Sequence, residues 1–243
     1  MPRFFTETPI EPGVPFLLTG DAAHHISFSL RMRVGERLVV CSAGKAYDCV
    51  IEGFTAADVS LKAERECDST EPAVSVSMYI AVPKGDKLDL CIQKCVELGA
   101  TEIVPFWSEH CVTKGGGAEK KGERRSRIAA EAAKQCGRAV VPAVLPILSF
   151  EEALARGAKA DLALFCSEKP SAGPLSSLLK ATDCQRVHTI SVFSGPEGGF
   201  AEKEFDKAEK IGYNMITLGK RILRCETAPM CVLSALMYAF GEF

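Results

Sequence analysis

The sequence predicts an α/β protein with an all-β N-terminal part, and three observations carry that prediction. Between residues 37 and 64, short apolar runs are separated by turn residues, the pattern of β-hairpins. From Val74 onward strand-like and helix-like segments alternate, which implies a mostly parallel sheet covered on both faces. Near the C-terminus two irregular loops each follow a strand-like run and precede a helix-like one. Open α/β sheets bind small molecules at that position, because backbone amides and helix N-termini converge there.

Taken in order, the Pro- and Gly-spaced segment Pro9 to Gly20 leads to the runs Leu38 to Cys41, Tyr47 to Phe54 and Val59 to Ala63, with Ser42-Ala43-Gly44-Lys45 as a turn. These read as a small β-barrel closing its own edges. The polar stretch Glu64 to Pro72 is the expected boundary between domains 1–72 and 73–243. In the second domain Val74 to Val82 reads as a strand. Asp86 can cap a helix in which Leu88, Cys91, Ile92, Cys95 and Val96 recur at helical spacing, with Gly99 ending it. Glu102 to Phe106 is the next strand, and Arg124 to Cys136 a helix with Gly137 past its end. Ser149 and Glu152 form a capping box. Ala160 to Cys166, Val187 to Phe193 and Asn214 to Leu218 are further strands, and Glu202 to Ile211 is a helix stopped by Gly212. Thr227 to Phe240 is apolar nearly all round, with Pro229 tolerable in its first turn, and must be buried within the domain or against a second subunit.

With 243 residues, 47% of them hydrophobic, the chain can build a real core. The N-terminus has no charged segment followed by an apolar one, and no apolar run approaches the roughly 20 residues that span a bilayer. Neither export nor a membrane role is expected. Eleven irregularly spaced cysteines point to a reducing cytoplasm rather than a disulfide framework, and Cys91, Cys95, Cys225 and Cys231 read as packing residues. No metal site is expected, because no Cys or His set has ligand spacing.

The formal net charge of −2 argues against indiscriminate polyanion binding, so the distribution of charge matters more. Residues 1–72 hold seven Lys and Arg against eleven Asp and Glu. Lys114, Lys120, Lys121, Arg124, Arg125 and Arg127 instead form a basic run, either a solvated face or a phosphate-contacting stripe.

The two C-terminal loops are Ser194-Gly195-Pro196-Glu197-Gly198-Gly199-Phe200 and Leu218-Gly219-Lys220-Arg221-Ile222-Leu223-Arg224-Cys225-Glu226-Thr227-Ala228. Neither is a Walker motif, a dinucleotide fingerprint or a nucleophile elbow. With the hydrophobic helix that follows, they resemble the signature regions of the SPOUT superfamily of S-adenosylmethionine-dependent RNA methyltransferases. Within it the chain resembles the ribosomal RNA small subunit methyltransferase E family, whose members methylate N3 of a uridine in 16S ribosomal RNA. His25-Ile26, Leu30-Arg31 and Gly35-Glu36 are similar to that family's N-terminal pattern, with Ser29 in place of its usual valine. Lys84-Gly85-Asp86-Lys87, Gln93-Lys94, Glu97-Leu98-Gly99 and Glu131 through Gln135 to Gly137-Arg138 are similar to its central segments.

The resemblance implies a PUA-like RNA-binding barrel, a SPOUT domain with a trefoil knot, and a homodimer acting on small-subunit ribosomal RNA or the assembled subunit. It implies that Gly195, Glu197, Gly198, Gly199, Leu218, Gly219, Ile222, Leu223, Thr227 and Ala228 line an S-adenosylmethionine pocket, with Ser167 and Glu168 as its third wall. For RNA it points to Arg31, Arg33, Lys84, Lys120, Lys121, Arg124 and Arg125.

Methylation at N3 requires loss of a proton from a neutral uracil, which calls for a base or for positive charge. Arg138 and Arg224 are candidates for the charge and Gln135 for hydrogen bonds to the uracil carbonyls. Glu226 or Glu197 is a candidate base, although pairing with arginines would lower its pKa and make its role structural. Phe200 or Phe4 can stack on a flipped base, Phe200 alternatively serving as a core anchor; His24 reads as exposed and His25 as a packing residue. Two alternatives stand beside this reading: a noncatalytic RNA-binding or ribosome-assembly protein, and a methyltransferase acting on a tRNA or a large-subunit ribose.

Overall fold

The N-terminal apolar runs fold into five strands, β1 (Arg3–Phe5), β2 (Pro15–Leu18), β3 (Arg37–Ser42), β4 (Lys45–Phe54) and β5 (Val59–Glu66), with a short helix α1 (Gly20–His24) after β2. The chain is seen here as a computed structural model that describes residues 1–111, 118–169 and 171–243, the side chains of 118–121 excepted. It divides into one unit of Met1–Glu71 with Ala133–Val141 and another of Pro72–Ala132 with Pro142–Phe243.

In the first unit the strand order is β1-β3-β4-β5-β2. The expected closure of a barrel is not found, since β1 and β2 lie at opposite edges and do not pair. Each edge strand has only three or four residues, which satisfies its own neighbour and leaves little edge to expose. β1 runs parallel to β3, and the other pairs are antiparallel. Alternation along β3 serves both faces. Leu38 and Val40 enter a core with Leu18, Ile26, Ile51 and Leu61, whereas Val39 and Cys41 pack with Ala46 and Ala139. α1 continues into a single π-helical turn at His25–Ser29, closed by the Leu30 amide donating to the His25 carbonyl at 2.9 Å. His24 and His25 are both exposed, so the packing role expected of His25 is reduced to an edge contact with Phe4 at 6.0 Å.

The segment 133–141 is tied to this unit by a buried ion pair. Arg138 donates from Nε and Nη2 to Glu71 Oε2 at 3.0 and 2.6 Å, while Glu71 Oε1 accepts the amides of Ala139 and Val140 at 2.8 and 3.0 Å. Both carboxylate oxygens are thereby used, which is the condition under which a buried charge is tolerated.

The second unit holds β6 (Ser75–Ala81), α2 (Lys87–Glu97), β7 (Glu102–Trp107), α3 (Ala118–Cys136), β8 (Ala143–Val144), β9 (Leu148–Ser149), α4 (Phe150–Gly157), β10 (Leu162–Cys166), β11 (Gly173–Pro174), α5 (Leu175–Ala181), β12 (Thr189–Ser194), α6 (Glu202–Lys210), β13 (Asn214–Thr217) and α7 (Thr227–Ala239), the end of α3 from Ala133 belonging to the first unit. All pairs in its eight-stranded sheet are parallel, in the order β11-β13-β10-β12-β6-β7-β8, with β9 also on β7. The Ser149 and Glu152 capping box is formed with both of its bonds. Asp86 occupies the N-cap of α2 but makes no capping bond, and its carboxylate lies 3.8 Å from Arg124 instead. Burial of α7 is one-sided: Val232, Leu233, Leu236 and Met237 are enclosed, but Cys231 and Tyr238, a heptad apart, are exposed.

Glu71→Ala leaves the buried Arg138 guanidinium without its carboxylate and two amides without an acceptor. A loss of about 3 kcal/mol is expected in urea denaturation of the full chain, whereas Lys45→Ala, which removes the exposed Lys45–Glu66 pair at 2.9 Å, should cost under about 1 kcal/mol.

Candidate functional site: a cleft at three adjacent strand ends

Strands β12, β10 and β13 are neighbours, so the loops leaving their carboxyl ends come together. They line one cleft of about 890 Å³, which takes in Ser167 and Glu168 after β10, residues 195–200 after β12 and residues 218–225 after β13. Gly195, Glu197, Gly198, Gly199, Leu218, Gly219, Ile222, Leu223 and Ala228, all singled out in the sequence, lie on its walls. Thr227 is not among the lining residues; it is exposed at the first position of α7.

Phe200 anchors the first loop. Its ring is buried, 4.2 Å from that of Phe165 and parallel to Phe106 at 6.3 Å. This favours the core reading over base stacking, and Phe4 is likewise buried. A side chain on Gly195 would put its Cβ 3.0 Å from the Phe200 ring, so the loop needs glycine there to seat the anchor. At Gly199 and Gly219 the requirement is conformational, with φ of +69° and +114°, and an added Cβ would meet nothing within 4 Å. Their backbone thus faces open space that a ligand can occupy.

The two signature loops are held together from outside. Lys87, at the start of α2, donates from Nζ to Glu197 Oε1 at 3.0 Å and lies 3.4 Å from Glu226 Oε2. Glu197 also accepts the Lys84 amide at 3.1 Å, and the Cys225 thiol donates to Glu226 at 3.1 Å. The carboxylates flanking the cleft are therefore paired with lysine rather than with the arginines expected. Partial burial alone would raise the Glu197 pKa, but its own backbone amide, Lys87 and the Lys84 amide together bring it below the usual carboxylate value. Glu226 is lowered too, chiefly by the Cys225 thiol and backbone bonds, with Lys87 adding to them. Lys87 is raised, most of all by Glu197. His110 braces the other side, its Nδ1 lying 3.1 and 3.2 Å from the carbonyls of Gly198 and Gly199. The pairings of Lys87 and His110 escaped the sequence reading because their partners lie about 90 to 140 residues away.

The remaining candidates are dispersed. Arg224 is exposed on the cleft wall. Arg138 is the guanidinium bound to Glu71, and Gln135 is exposed on the last turn of α3, both in the first unit. Arg31 and Arg33 are exposed, as is Lys84. The basic stripe is thinner than the sequence suggests. Arg125 is buried, which lowers its pKa, and Arg124 is committed to Asp89 at 2.7 Å. Lys114 and the side chains of Lys120 and Lys121 lie outside the described residues. Among the described residues no group of three or more His, Cys, Asp or Glu is placed to hold a metal ion, and no helix is long and apolar enough to cross a membrane.

Lys87→Met removes the strut between the two loops, so hydrogen exchange over residues 195–200 and 219–226 should quicken severalfold, with Lys87→Arg restoring much of the protection. Because the folded-state pKa values of Glu197 and Glu226 are depressed, their contribution is complete above the ordinary carboxylate range and fades as pH falls through the lowered values. Wild-type protection over these segments should therefore persist at pH 5 and decline only below about pH 4.

Comparison with known proteins agrees with this arrangement. Residues 70–237 match the RNA methyltransferase domain and residues 18–62 the RNA methyltransferase PUA domain. The chain is 35% identical to ribosomal RNA small subunit methyltransferase E of Bacillus subtilis (strain 168), over 98% of its own length and 96% of the relative's. To the protein of the same name from Synechocystis it is 32% identical, over 89% and 71% of the two lengths. The crystal structure of ribosomal RNA small subunit methyltransferase E from Neisseria gonorrhoeae bound to S-adenosyl methionine superposes with a TM-score of 0.86 at 32% identity, covering 98% and 97% of the two chains. With its domain matched across most of its length and a relative this similar from end to end, the chain belongs to the ribosomal RNA small subunit methyltransferase E family of RNA methyltransferases.

Proposed function

We propose that this chain transfers a methyl group from S-adenosylmethionine to N3 of a uridine in 16S ribosomal RNA, in the cytoplasm and as a homodimer of the SPOUT type with a trefoil knot. The observation that carries the reading is the convergence of three loops at the carboxyl ends of adjacent parallel strands, with open backbone at Gly199 and Gly219. The residues present fit the cofactor: a wide cleft, apolar surface at Ile222 and Leu223, and backbone groups within reach because the glycines carry no side chain. When bound there, the cofactor supplies an electrophilic methyl group.

The chain's own part is positioning and charge. Ser167, Gly195, Glu197, Gly198, Gly199, Leu218, Gly219, Ile222, Leu223 and Ala228 form the cofactor wall, and Thr227 stands beside it at the start of α7. The N3 proton leaves to solvent as the uracil becomes anionic, and Arg224, exposed at the cleft, offers the guanidinium that stabilises that charge. Glu226 and Glu197 are poor bases at neutral pH, because their pKa values lie below the usual range; they brace the loops through Lys87. Arg138 would have to leave Glu71 to meet a uracil, so its part is taken to be structural: within the first unit it holds the turn that follows Gln135. Arg31, Arg33 and Lys84 offer exposed charge to RNA phosphates.

Calorimetry should detect S-adenosylmethionine binding, with S-adenosylhomocysteine competing, and mass spectrometry of treated small subunits should find one 3-methyluridine in 16S ribosomal RNA. Arg224→Ala should lower the single-turnover rate tenfold to a hundredfold, the effect of losing a charge-assisted hydrogen bond of about 1.5 to 3 kcal/mol, with smaller effects on RNA affinity. Retention of the saturated rate by Arg224→Ala would remove the arginine from the chemical step, and absence of 3-methyluridine would refute the reaction.

The dimer is proposed to use the face of α7 that carries Cys231 and Tyr238, the latter 77% exposed. Light scattering at micromolar concentration should give twice the chain mass, and Tyr238→Glu should shift it towards the monomer.

A further inference from the structure

In the first unit, and separate from the cofactor cleft, a recess of about 520 Å³ opens beside the π-helical turn. Its walls include His24, Ser27 and Phe28 from α1 and the turn, Met32 just after it, and Phe54 and Thr55 at the end of β4. Two of these are aromatic rings left in solvent: Phe28 is 64% exposed and Phe54 39%. Phe28 is also held in place, since the His24 ring stacks on it at 4.6 Å with an interplanar angle of 29°. The opposite wall is equally fixed, because Thr55 Oγ1 accepts the amides of Ala57 and Asp58 at 3.3 and 2.9 Å. Directly after the turn Arg31 takes a left-handed φ of 53°, unusual for a residue with a side chain. Arg31 and Arg33, on either side of Met32, are exposed.

We propose that this recess binds an unpaired nucleobase of single-stranded RNA, stacked on Phe28 and Phe54, with Arg31 and Arg33 meeting the adjoining phosphates; the proposal rests on the reading of the chain as an RNA methyltransferase. Two exposed rings beside a preformed hollow match the way single-stranded nucleic acid is held, since every base has a π-face and stacking tolerates any sequence. A π-helical turn at the rim is in keeping with where such turns occur, often at functional sites. Charge complementarity selects RNA over an apolar protein segment, since the wall residue Met32 is flanked in the chain by the exposed Arg31 and Arg33. Residues 1–72 carry more acid than base, so a general field cannot supply the affinity, and stacking must carry it.

The test uses the full-length protein and a short single-stranded oligoribonucleotide containing 2-aminopurine. Binding should quench the base fluorescence, and a fully paired duplex of the same sequence should bind more weakly. Phe28→Ala and Phe54→Ala should each weaken oligonucleotide binding on the order of tenfold, Phe28→Trp should restore it, and all three should keep the wild-type calorimetric affinity for S-adenosylmethionine. Quenching by the wild-type protein requires no variant to fold, and its absence overturns the site. Unchanged oligonucleotide affinity in Phe28→Ala also overturns it, whatever else the recess then proves to bind. A wild-type protein that quenches the base but binds no S-adenosylmethionine would refute the methyltransferase reading while leaving the nucleobase site standing.

Discussion

The seat of Phe200 in the aromatic core is the constraint on which the cleft depends. Its ring packs against Phe165, which in turn lies 5.7 Å from Phe193, itself stacked on Tyr79 at 4.4 Å. Burying one such ring contributes about 1.5 to 3 kcal/mol, and each favourable ring pair adds roughly 0.5 to 1.5 kcal/mol. Just beyond, the buried Glu204 carboxylate accepts the Ala201 amide at 2.8 Å, the Ser108 hydroxyl at 3.0 Å and the Glu109 amide at 3.0 Å. The chain is thus pinned on one side of the loop by an apolar anchor and on the other by a satisfied buried charge. The five residues between β12 and Phe200 have to turn outward over the strand ends, which makes the loop a wall of the cleft.

Electrostatics then divides the cleft into neutralised and available charge. Lys87 offsets Glu197 and Glu226, and Lys169 is drawn to Glu202 at 2.5 Å and over the Phe205 ring at 4.3 Å. Among the described residues Arg224 has no carboxylate partner, and it faces solvent, which suits it to meet charge that develops only on a bound partner. Cys225 enters this as a neutral thiol that donates to Glu226. Burial pushes Cys91 up to about 12, and burial with the Glu226 hydrogen bond pushes Cys225 up to about 12, so both thiols stay protonated at neutral pH.

Much of this arrangement was legible in the sequence because it is local. Short apolar runs separated by turn residues in 37–64, helical spacing in 88–96, the Ser149 capping box and the glycines at 99, 137 and 212, all with positive φ, each leave a signal within a few residues. Strands β8, β9 and β11 are two residues long and have no period to read. Closure of the N-terminal sheet was misjudged since pairing of β1 with β3 and of β2 with β5 is set by contacts far apart in the chain. The same distance hid the partners of Lys87 and His110. For Arg125 the charge run was visible, but which arginine turns inward depends on what α3 packs against.

The first unit is discontinuous in the chain, because Arg138 and its neighbours complete a carboxylate site begun by Glu71. On a translating ribosome the two parts are made 67 residues apart, a gap of roughly 3 to 13 s at common elongation rates. During that interval Glu71 has neither its guanidinium nor the two amides, and the small cluster around Val39 and Cys41 lacks Ala139. The N-terminal unit therefore cannot finish folding as it emerges; it waits for a strap that arrives only after α2 and β7 of the other unit have been synthesised.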